Sequence, residues 1–413
     1  MITSVARRSR IVAVLLVGGA LVAAAGDTPP FAGRWDAIVV ANGVEVPFAF
    51  EIVGEGPGIK GSFFNGDRRI TSTEGRVEND TLVLSFAQYA ARLEVAYQSG
   101  ELTGKYQRGS RGAYPFRARR ASTAASGATT AGVDAPSIAG IWIVEARSKK
   151  GESAWRFIVE QSGAEVSATI LRVDGDTGTL RGAYRDGRFV LSHFSGARPL
   201  LLEVTPAADG TLSLRQNGQT ELVAARADAP RAKAIGEPTD PEHHTSVKNP
   251  AEPLRFSFPD LSGRLVTNTD PRFRGKVLLV NISGSWCPNC HDEAPFLVSL
   301  HQKYRSKGLE VVTLSFEEPD QLTHPTRLRA FVAQYGIEYT VLLAGEPEQL
   351  AEKVPQAVNL NAFPTTFLLG RDGRVRGVHA GFPSPGSGQF YTNAERDLTA
   401  QVERLLAERP GTN

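Results

Sequence analysis

Cysteine is scarce in this chain, which has only two among 413 residues, both between positions 286 and 290. Two cysteines so close together exclude a framework of structural disulfides, which needs several pairs spread along the chain. An excess of one charge is also missing, because 46 Lys and Arg face 44 Asp and Glu, giving a net charge of +2. No basic stripe therefore marks a nucleic-acid surface. What remains is a chain whose most reactive side chains are one close pair of thiols.

Long apolar runs are missing after the N-terminus. Three arginines in the first ten residues precede an apolar run at 11–25, which ends in small residues suited to cleavage. This pattern predicts a signal peptide over residues 1–25. An uncleaved anchor is the alternative, but the run is shorter than the roughly 20 residues that span a bilayer. No cysteine lies near the cleavage site, which excludes an acylated anchor. We expect a soluble periplasmic or other extracytoplasmic protein, in a compartment where disulfides persist.

Residues 31–120 and 138–227 carry matching residues at one constant offset, which indicates two copies of one unit. The matched pairs are Gly33 and Gly140, Trp35 and Trp142, Phe50 and Phe157, Gly75 and Gly182, Leu84 and Leu191, Ser85 and Ser192, and Arg119 and Arg226. Apolar residues alternate with polar ones, and turn residues recur about every 8–12 positions. Each unit is therefore predicted to be all-β, with roughly eight short strands in a barrel or sandwich.

The two β units resemble the lipocalin-like, or calycin, barrels through a Gly-x-Trp on the first strand and an Arg near the end. The resemblance implies that Trp35 and Trp142 plug one end of each barrel, with Arg119 and Arg226 packed across them. A plug that closes a small core is a structural role, so we assign no ligand to these units.

Two linkers separate the predicted domains. Residues 121–135 are rich in Ala, Ser, Thr and Gly, which predicts a flexible segment. Residues 228–253 are richer in proline and charge, which predicts an extended, semi-stiff connection.

Residues 254–408 alternate between strand and helix patterns. The predicted elements are a hairpin in 254–266, strand 277–283, a helix beginning at the cysteines, strand 309–316, helix 327–334, strand 339–343, a hairpin of 365–369 and 375–380, and helix 394–408. This is the order of a thioredoxin fold. The fold class is thus multidomain, with two all-β, barrel-like repeat domains followed by an α/β thioredoxin-fold domain. Cys287 would begin the first helix, where the dipole and free N–H groups favour a thiolate.

The C-terminal domain resembles the TlpA/ResA-like thiol–disulfide oxidoreductases of bacterial envelopes. The matching residues are Gly275, Lys276, Trp286, Cys287, Pro288, Asn289, Cys290, Glu293, Pro295, Phe363, Pro364, Thr365, Thr366, Phe367 and Leu368. The resemblance implies that Cys287 attacks a target disulfide and that Cys290 resolves the mixed disulfide. Glu293 would tune the thiols and could accept the proton of Cys290. Pro364 would be a cis-proline facing the cysteines, and the expected substrate contacts are Trp286, Pro364 and Thr365.

The predicted function is therefore an exported thiol–disulfide oxidoreductase, of the protein-disulfide reductase type. Its substrates would be protein thiols and disulfides, and a membrane protein would supply its electrons, without cofactor or metal. This chain has Ile282, Ser283, Gly284 and Ser285 where the family has bulky aromatics. We expect these small side chains to open one wall of the site, which leaves substrate shape and redox poise undecided.

Three other functions compete with this one. A zinc site could be imagined from Cys287, Cys290, His244 and His291, but zinc sites use two close pairs of ligands. A peroxiredoxin would have a single peroxidatic cysteine, usually preceded by Thr and Pro. A binding or scaffold protein would use the β units, with residues such as His193 lining a cavity and the redox domain as an accessory.

Overall fold

The computed structural model describes residues 31–109, 112–122 and 134–408. The predicted signal peptide, residues 1–25, and most of the predicted linker 121–135 lie outside these ranges. Within them, no helix has both the length and the apolar character that crossing a membrane requires. The N-terminal part of the described chain forms two barrel-like sheets, and a thioredoxin-like α/β domain follows.

The first sheet has nine antiparallel strands, one more than the pattern of turns predicts. They are β1 (Gly33–Ala41), β2 (Val44–Val53), β3 (Lys60–Asn65), β4 (Arg68–Thr71), β5 (Glu74–Glu78), β6 (Thr81–Phe86), β7 (Ala91–Gln98), β8 (Glu101–Arg108) and β9 (Ala113–Arg120). Their order is β4-β3-β2-β1-β9-β8-β7-β6-β5. Alternate residues of β2, such as Val46, Phe50 and Ile52, are buried inside the sheet. The period of two in the sequence thus corresponds to an inner and an outer face.

The second sheet also has nine antiparallel strands. They are β10 (Gly140–Glu145), β11 (Ala154–Ser162), β12 (Glu165–Arg172), β13 (Gly175–Asp176), β14 (Leu180–Arg185), β15 (Arg188–His193), β16 (Leu200–Pro206), β17 (Leu212–Gln216) and β18 (Thr220–Arg226). Their order is β11-β10-β18-β17-β16-β15-β14-β12-β13, and β11 also pairs with β12. All strands except β13 therefore form a closed ring. A closed ring leaves no long unpaired edge that could recruit another chain.

Both predicted tryptophan plugs are buried in the sheet interiors. The indole N–H of Trp35 donates to the carbonyl of Phe31 at 2.9 Å. The indole N–H of Trp142 donates in the same way to the carbonyl of Ile138, also at 2.9 Å. Each indole therefore satisfies its one donor on the chain that leads into the first strand, which a buried Trp requires.

The arginine packed over each tryptophan is predicted correctly in one sheet and wrongly in the other. The guanidinium of Arg226 lies 4.5 Å from the ring centre of Trp142. Over Trp35, however, the cation is Arg120 at 4.3 Å, not Arg119. The register of β1 and β9 places Arg120 directly opposite Trp35, while Arg119 turns to the other face and bonds a glutamate of β8.

The segment 228–253 is not the extended linker that its prolines predict. It forms α1 (Pro230–Ile235), α2 (Pro241–His244) and β19 (Ser246–Val247), and β19 pairs with β25 (Ala357–Val358) of the redox domain. Pro230 and Pro241 each follow the N-cap residue of a short helix. Proline fits this first helical position because its missing N–H has no intrahelical partner there.

In the redox domain, residues 254–408, the strands and helices follow one another in the predicted thioredoxin order. Its elements are β20 (Ser257–Pro259), β21 (Leu265–Thr267), β22 (Val277–Ser283), α3 (Pro288–Tyr304), β23 (Leu309–Phe316), α4 (Pro319–Thr323), α5 (Thr326–Tyr335), β24 (Thr340–Gly345), α6 (Leu350–Lys353), β26 (Thr365–Leu369), β27 (Val375–Ala380) and α7 (Gln389–Ala407). The sheet order is β24-β23-β22-β26-β27. Strands β24, β23 and β22 are parallel to one another, β26 is antiparallel to β22, and β27 is antiparallel to β26. The final helix begins at Gln389, earlier than predicted, and the short helices α4 and α6 were not predicted.

Strand β22 lies at the centre of this domain and all seven of its residues are buried. One face of β22, through Leu279, packs with Leu297 of α3 and Leu398 of α7. The other face, through Val280, packs with Phe258 of the opening hairpin. Burial on both faces explains why β22 is apolar at nearly every position. The strand end is thereby fixed, and Gly284, Ser285 and Trp286 lead from it to Cys287.

The two arginines at the end of β9 give a test of the tryptophan plug. We expect Arg120→Ala to lower the free energy of unfolding by about 1 kcal/mol, because it removes the cation from the Trp35 ring. Arg119→Ala is the matched control and should change it by less than about 0.5 kcal/mol, since it removes only an exposed ion pair. Urea unfolding of both variants measures the difference, and equal losses would show that the stacking contributes nothing.

Candidate redox site

The two cysteines lie at the N-terminus of α3. Cys287 is the N-cap residue, with φ −91° and ψ 116°, and Pro288 occupies the first helical position. The backbone N–H of Cys290 donates to the sulfur of Cys287 at 3.3 Å. The sulfur thus takes the position that a Ser or Asp oxygen usually fills at a helix N-cap, where negative charge is favoured. Both cysteines are free thiols.

The loop that leads into β26, residues 362–364, faces the cysteines, and we call it the proline loop. The peptide bond between Phe363 and Pro364 is cis. The Cys287 thiol donates to the Phe363 carbonyl at 3.5 Å, and the rings of Trp286 and Phe363 meet edge to face at 5.1 Å. The side chain of Thr365 is buried, and its hydroxyl donates to the carbonyl of Ala362. The structure therefore brings together the cysteines, Trp286 and the proline loop.

Glu293 lies one turn along α3 from Cys290 and is only 2% exposed. Its carboxylate accepts hydrogen bonds from the side-chain amide of Asn281 at 2.7 Å and from the hydroxyl of Thr366 at 2.9 Å. Burial raises the pKa of Glu293 to about 7, although these two hydrogen bonds lower it. The carboxyl group can therefore gain or lose a proton near neutral pH.

The Cys290 thiol is buried, with 2% exposure. Burial raises the pKa of Cys290 well above its usual range, and the hydrogen bond and charge of Cys287 raise it further. The hydroxyl of Ser283 opposes this shift. Cys290 therefore remains protonated at neutral pH in the reduced protein, and it needs a proton acceptor before it can attack.

A buried ion pair holds the residues that precede the cysteines. The carboxylate of Glu317, with 0% exposure, accepts from the backbone N–H of Ser285 at 2.8 Å and from its hydroxyl at 2.7 Å. Arg327 donates to Glu317 at 2.8 Å and to the Ser285 hydroxyl at 2.8 Å. Sequence reasoning missed Arg327, because only the fold brings α5 beside the end of β23. The network fixes the chain just before Trp286.

The expectation that small residues open one wall of the site is wrong. A Cβ atom on Gly284 would lie 2.4 Å from the indole nitrogen of Trp286 and 2.8 Å from the carbonyl of Phe316. The indole N–H donates to that same carbonyl at 2.9 Å. The absent side chain at Gly284 thus makes room for the Trp286 ring, which closes the wall.

Neither cysteine is accessible in this conformation. Cys287 has 0% exposure and Cys290 has 2%. The attack by Cys287 that the resemblance implies therefore requires this conformation to open. Beside the cysteines, the side-chain amide of Asn289 donates to the carbonyl of Asp174 in the second sheet at 2.5 Å.

The first sheet also contacts α3 just after the cysteines. The guanidinium of Arg68 donates to the carboxylate of Asp292 at 2.6 Å and to the backbone carbonyl of His291 at 3.0 Å. The ring of Tyr89 stacks on His291 at 4.3 Å. Both imidazole nitrogens of His291 have hydrogen-bond partners, one of them the hydroxyl of Tyr335. His291 is therefore a packing residue between the sheet and the helix.

Comparison with known proteins places the redox domain among thiol–disulfide enzymes. Residues 246–397 match the Redoxin family. The thiol-disulfide oxidoreductase ResA of Bacillus thuringiensis (strain Al Hakam) is 31% identical over 124 residues, which are 30% of this chain and 65% of that protein. ResA of Bacillus subtilis (strain 168) is 26% identical over 148 residues, which are 36% of this chain and 76% of that protein.

Solved structures are similar over the same share of the chain. A thiol:disulfide interchange protein of the thioredoxin family from Chlorobium tepidum TLS covers 39% of this chain and 100% of its own, at 23% identity and a TM-score of 0.31. The chain spans 65% of the length of the B. thuringiensis relative, just under two thirds. The Redoxin match begins at residue 246, so the first and second sheets lie outside it. The C-terminal domain is therefore similar to the Redoxin family and to the ResA thiol–disulfide oxidoreductases.

Proposed function

We propose that this protein is an exported thiol–disulfide oxidoreductase that reduces disulfides in target proteins. The observation that carries the proposal is the position of the Cys287 sulfur. It caps α3, accepts the N–H of Cys290 at 3.3 Å and lies against the carbonyl that precedes cis-Pro364. This position presents the sulfur to the first turn of a helix and to the proline loop, and a cysteine sulfur is the atom that attacks a disulfide.

The proposed reaction has two exchanges of sulfur partners. The thiolate of Cys287 attacks one sulfur of a target disulfide, forms a mixed disulfide with it and releases the other sulfur as a thiolate that takes a proton. Cys290, once deprotonated, attacks the Cys287 sulfur, forms the intramolecular disulfide and releases the second target sulfur. The target gains two electrons and the cysteine pair loses two. A separate dithiol donor, which we place in the membrane, must then reduce the pair.

Glu293 is the proposed acceptor of the Cys290 proton. It lies one helical turn from Cys290, so the two side chains are on the same face of α3. Its pKa of about 7 suits a general base at neutral pH, because a base works best when its pKa is near the working pH. Its two hydrogen-bond partners in the described part of the chain, Asn281 and Thr366, are both uncharged.

The proposed substrate contacts are Trp286, Pro364 and Thr365. Trp286 is partly exposed and lies against Phe363, so its ring can meet a target segment at the edge of the site. Thr365 would act through its backbone, because its hydroxyl is engaged within the loop. The chemistry requires neither cofactor nor metal.

The remaining elements of the proposal concern organisation. We propose residues 1–25 as a signal peptide, 31–120 and 138–227 as two copies of one β unit, 228–253 as a connection and 254–408 as the redox domain. The copies are supported by equal numbers of strands and by the matching indole and guanidinium contacts of Trp35 and Trp142. With such a signal peptide, the protein would work outside the cytoplasm.

The order of the two sulfur exchanges can be tested by trapping. We expect Cys290→Ser to accumulate a mixed disulfide with a protein disulfide such as insulin, because the resolving sulfur is missing. Cys287→Ser, the matched control, should form none. Mass spectrometry of the non-reduced products measures both. A stable adduct in Cys287→Ser and none in Cys290→Ser would reverse the two roles.

The direction of the reaction can be tested by redox equilibrium with glutathione. Neither Pro288 nor Asn289 is charged, so we expect a potential on the reducing side, more negative than about −200 mV, near the thioredoxins and glutaredoxins. Wild-type protein is equilibrated over a range of glutathione ratios and the free thiols are counted after acid quenching. A potential near about −120 mV, typical of strong oxidants, would make the protein an oxidase.

The raised pKa of Glu293 predicts a pH-dependent gain in stability for Glu293→Gln. Burial raises this pKa from 4.5 to about 7, so the ionised carboxylate destabilises the fold above pH 7, and the cost disappears as pH falls toward 4.5. At about 1.4 kcal/mol per pKa unit, the cost above pH 7 is about 3 kcal/mol. We therefore expect urea unfolding to show Glu293→Gln more stable than wild type at pH 8 and nearly equal at pH 4.5.

The same variant tests the role of Glu293 as a base. In wild type, the rate at which the mixed disulfide is resolved should rise as pH increases through about 7, while Glu293→Gln should be slower and lose this step. A stopped-flow measurement of target release separates it from the first attack. A variant with the stability gain but an unchanged pH profile would make Glu293 only structural.

A further inference from the structure

The turn that joins β12 and β13 of the second sheet contacts residues on either side of the redox site. We call residues 172–176 the covering turn. Gly175 pairs with Phe382 of the redox domain in a parallel β-bridge. The carbonyl of Asp174 accepts from the side chain of Asn289, which lies between the two cysteines in sequence. The second sheet therefore contacts the Cys-x-x-Cys motif itself.

The covering turn also packs on the proline loop. Val173 is 3% exposed and shares a small apolar cluster with Ala362 and Ala380. Ala362 immediately precedes Phe363, whose carbonyl bonds Cys287. The turn thus touches the segment that faces the thiols as well as the helix that carries them.

Two glycines allow the backbones to approach closely at this contact. A Cβ atom on Gly175 would lie 2.3 Å from the carbonyl oxygen of Phe382 and 2.5 Å from the side-chain nitrogen of Asn289. A Cβ atom on Gly381 would lie 2.2 Å from the carbonyl oxygen of Val173. Both have positive φ, +111° and +73°, where side chains are disfavoured. A side chain at either position would force the turn away from the site.

Asp176 anchors the end of the covering turn. Its carboxylate is 2% exposed and accepts from the backbone N–H of Ser384 at 2.7 Å and from the hydroxyl of Ser387. A third bond comes from Gly178 in its own sheet. A buried carboxylate is costly unless its oxygens are hydrogen-bonded. Since two of these donors belong to the redox domain, this contact is specific to the docked arrangement.

From these contacts we propose that the covering turn determines which disulfides reach Cys287. This rests on the proposed function. With the turn in place Cys287 has 0% exposure, whereas disulfide exchange brings two sulfurs to a bonding distance of about 2 Å. A target must displace the turn. The backbone of Phe382, which pairs with Gly175, would then pair with an extended polypeptide of the target. Small disulfides need only a brief local opening, while folded protein targets need the turn to leave.

Thiol accessibility in full-length reduced protein tests the covering turn. We expect Gly175→Ala to increase the rate of alkylation of Cys287 by iodoacetamide about tenfold, and to increase it further for a maleimide that carries a polyethylene glycol chain. Gly187→Ala is the matched control: it also has positive φ, +83°, and is in a turn of the same sheet, but no atom lies within 4 Å of its Cβ position. Its alkylation rate should equal that of wild type.

Ser387→Ala provides a second test from the other side of the contact. It removes one donor to Asp176 without changing the second sheet, and we expect a twofold to fivefold increase in alkylation rate. Circular dichroism and thermal unfolding establish that each variant is folded; if Gly175→Ala is not, Ser387→Ala carries the test. Alkylation rates equal to wild type in the folded variants would overturn the proposal.

Disulfide exchange separates this proposal from the proposed function. Reduction of insulin should accelerate more than reduction of glutathione disulfide when the turn is weakened. If alkylation accelerates but no variant reduces any disulfide, the turn limits access to Cys287, but the proposed function and the selection of disulfides are both wrong. If wild type reduces insulin at the same rate as both variants and alkylation is unchanged, the proposed function stands and the covering turn has no role in access.

Discussion

The position of one sulfur atom organises the redox domain. Cys287 lies between the end of β22, whose residues are all buried, and the first turn of α3, which begins at Pro288. Because the strand is packed on both faces and the proline fixes the helix start, the sulfur is placed to accept a hydrogen bond from the backbone N–H of Cys290. The proline loop and the Glu317–Arg327 pair then surround a position that the strand and the helix have already set.

Two buried glutamates near this sulfur have different kinds of hydrogen-bond partner. Glu317 is neutralised by Arg327 and accepts two bonds from Ser285, so it serves to hold the chain. Glu293 has only neutral partners, and burial raises its pKa to about 7. An ion pair suits Glu317 to positioning, whereas Glu293 bonds uncharged groups. Its raised pKa, about 7, suits Glu293 to acid–base chemistry.

The two β-sheets take part in the redox site through direct contacts. Arg68 and Tyr89 of the first sheet hold the residues just after Cys290, and the covering turn of the second sheet meets Asn289 and the proline loop. Glycine at position 175 and a buried carboxylate at position 176 make this contact close and specific. The redox centre is consequently enclosed by three parts of one chain.

The sequence by itself determined the elements whose signals are local. The apolar run of β22, the Cys-x-x-Cys at a helix start and the Pro-Thr-Thr-Phe segment each depend on near neighbours, and the predicted strand and helix order follows from them. The tertiary structure alone decided the register that puts Arg120 instead of Arg119 over Trp35, the pairing of Arg327 with Glu317, and the contact of the second sheet with Asn289 between the two cysteines. These depend on contacts between residues far apart in the chain, and a local pattern carries no information about which distant segment will pack against it.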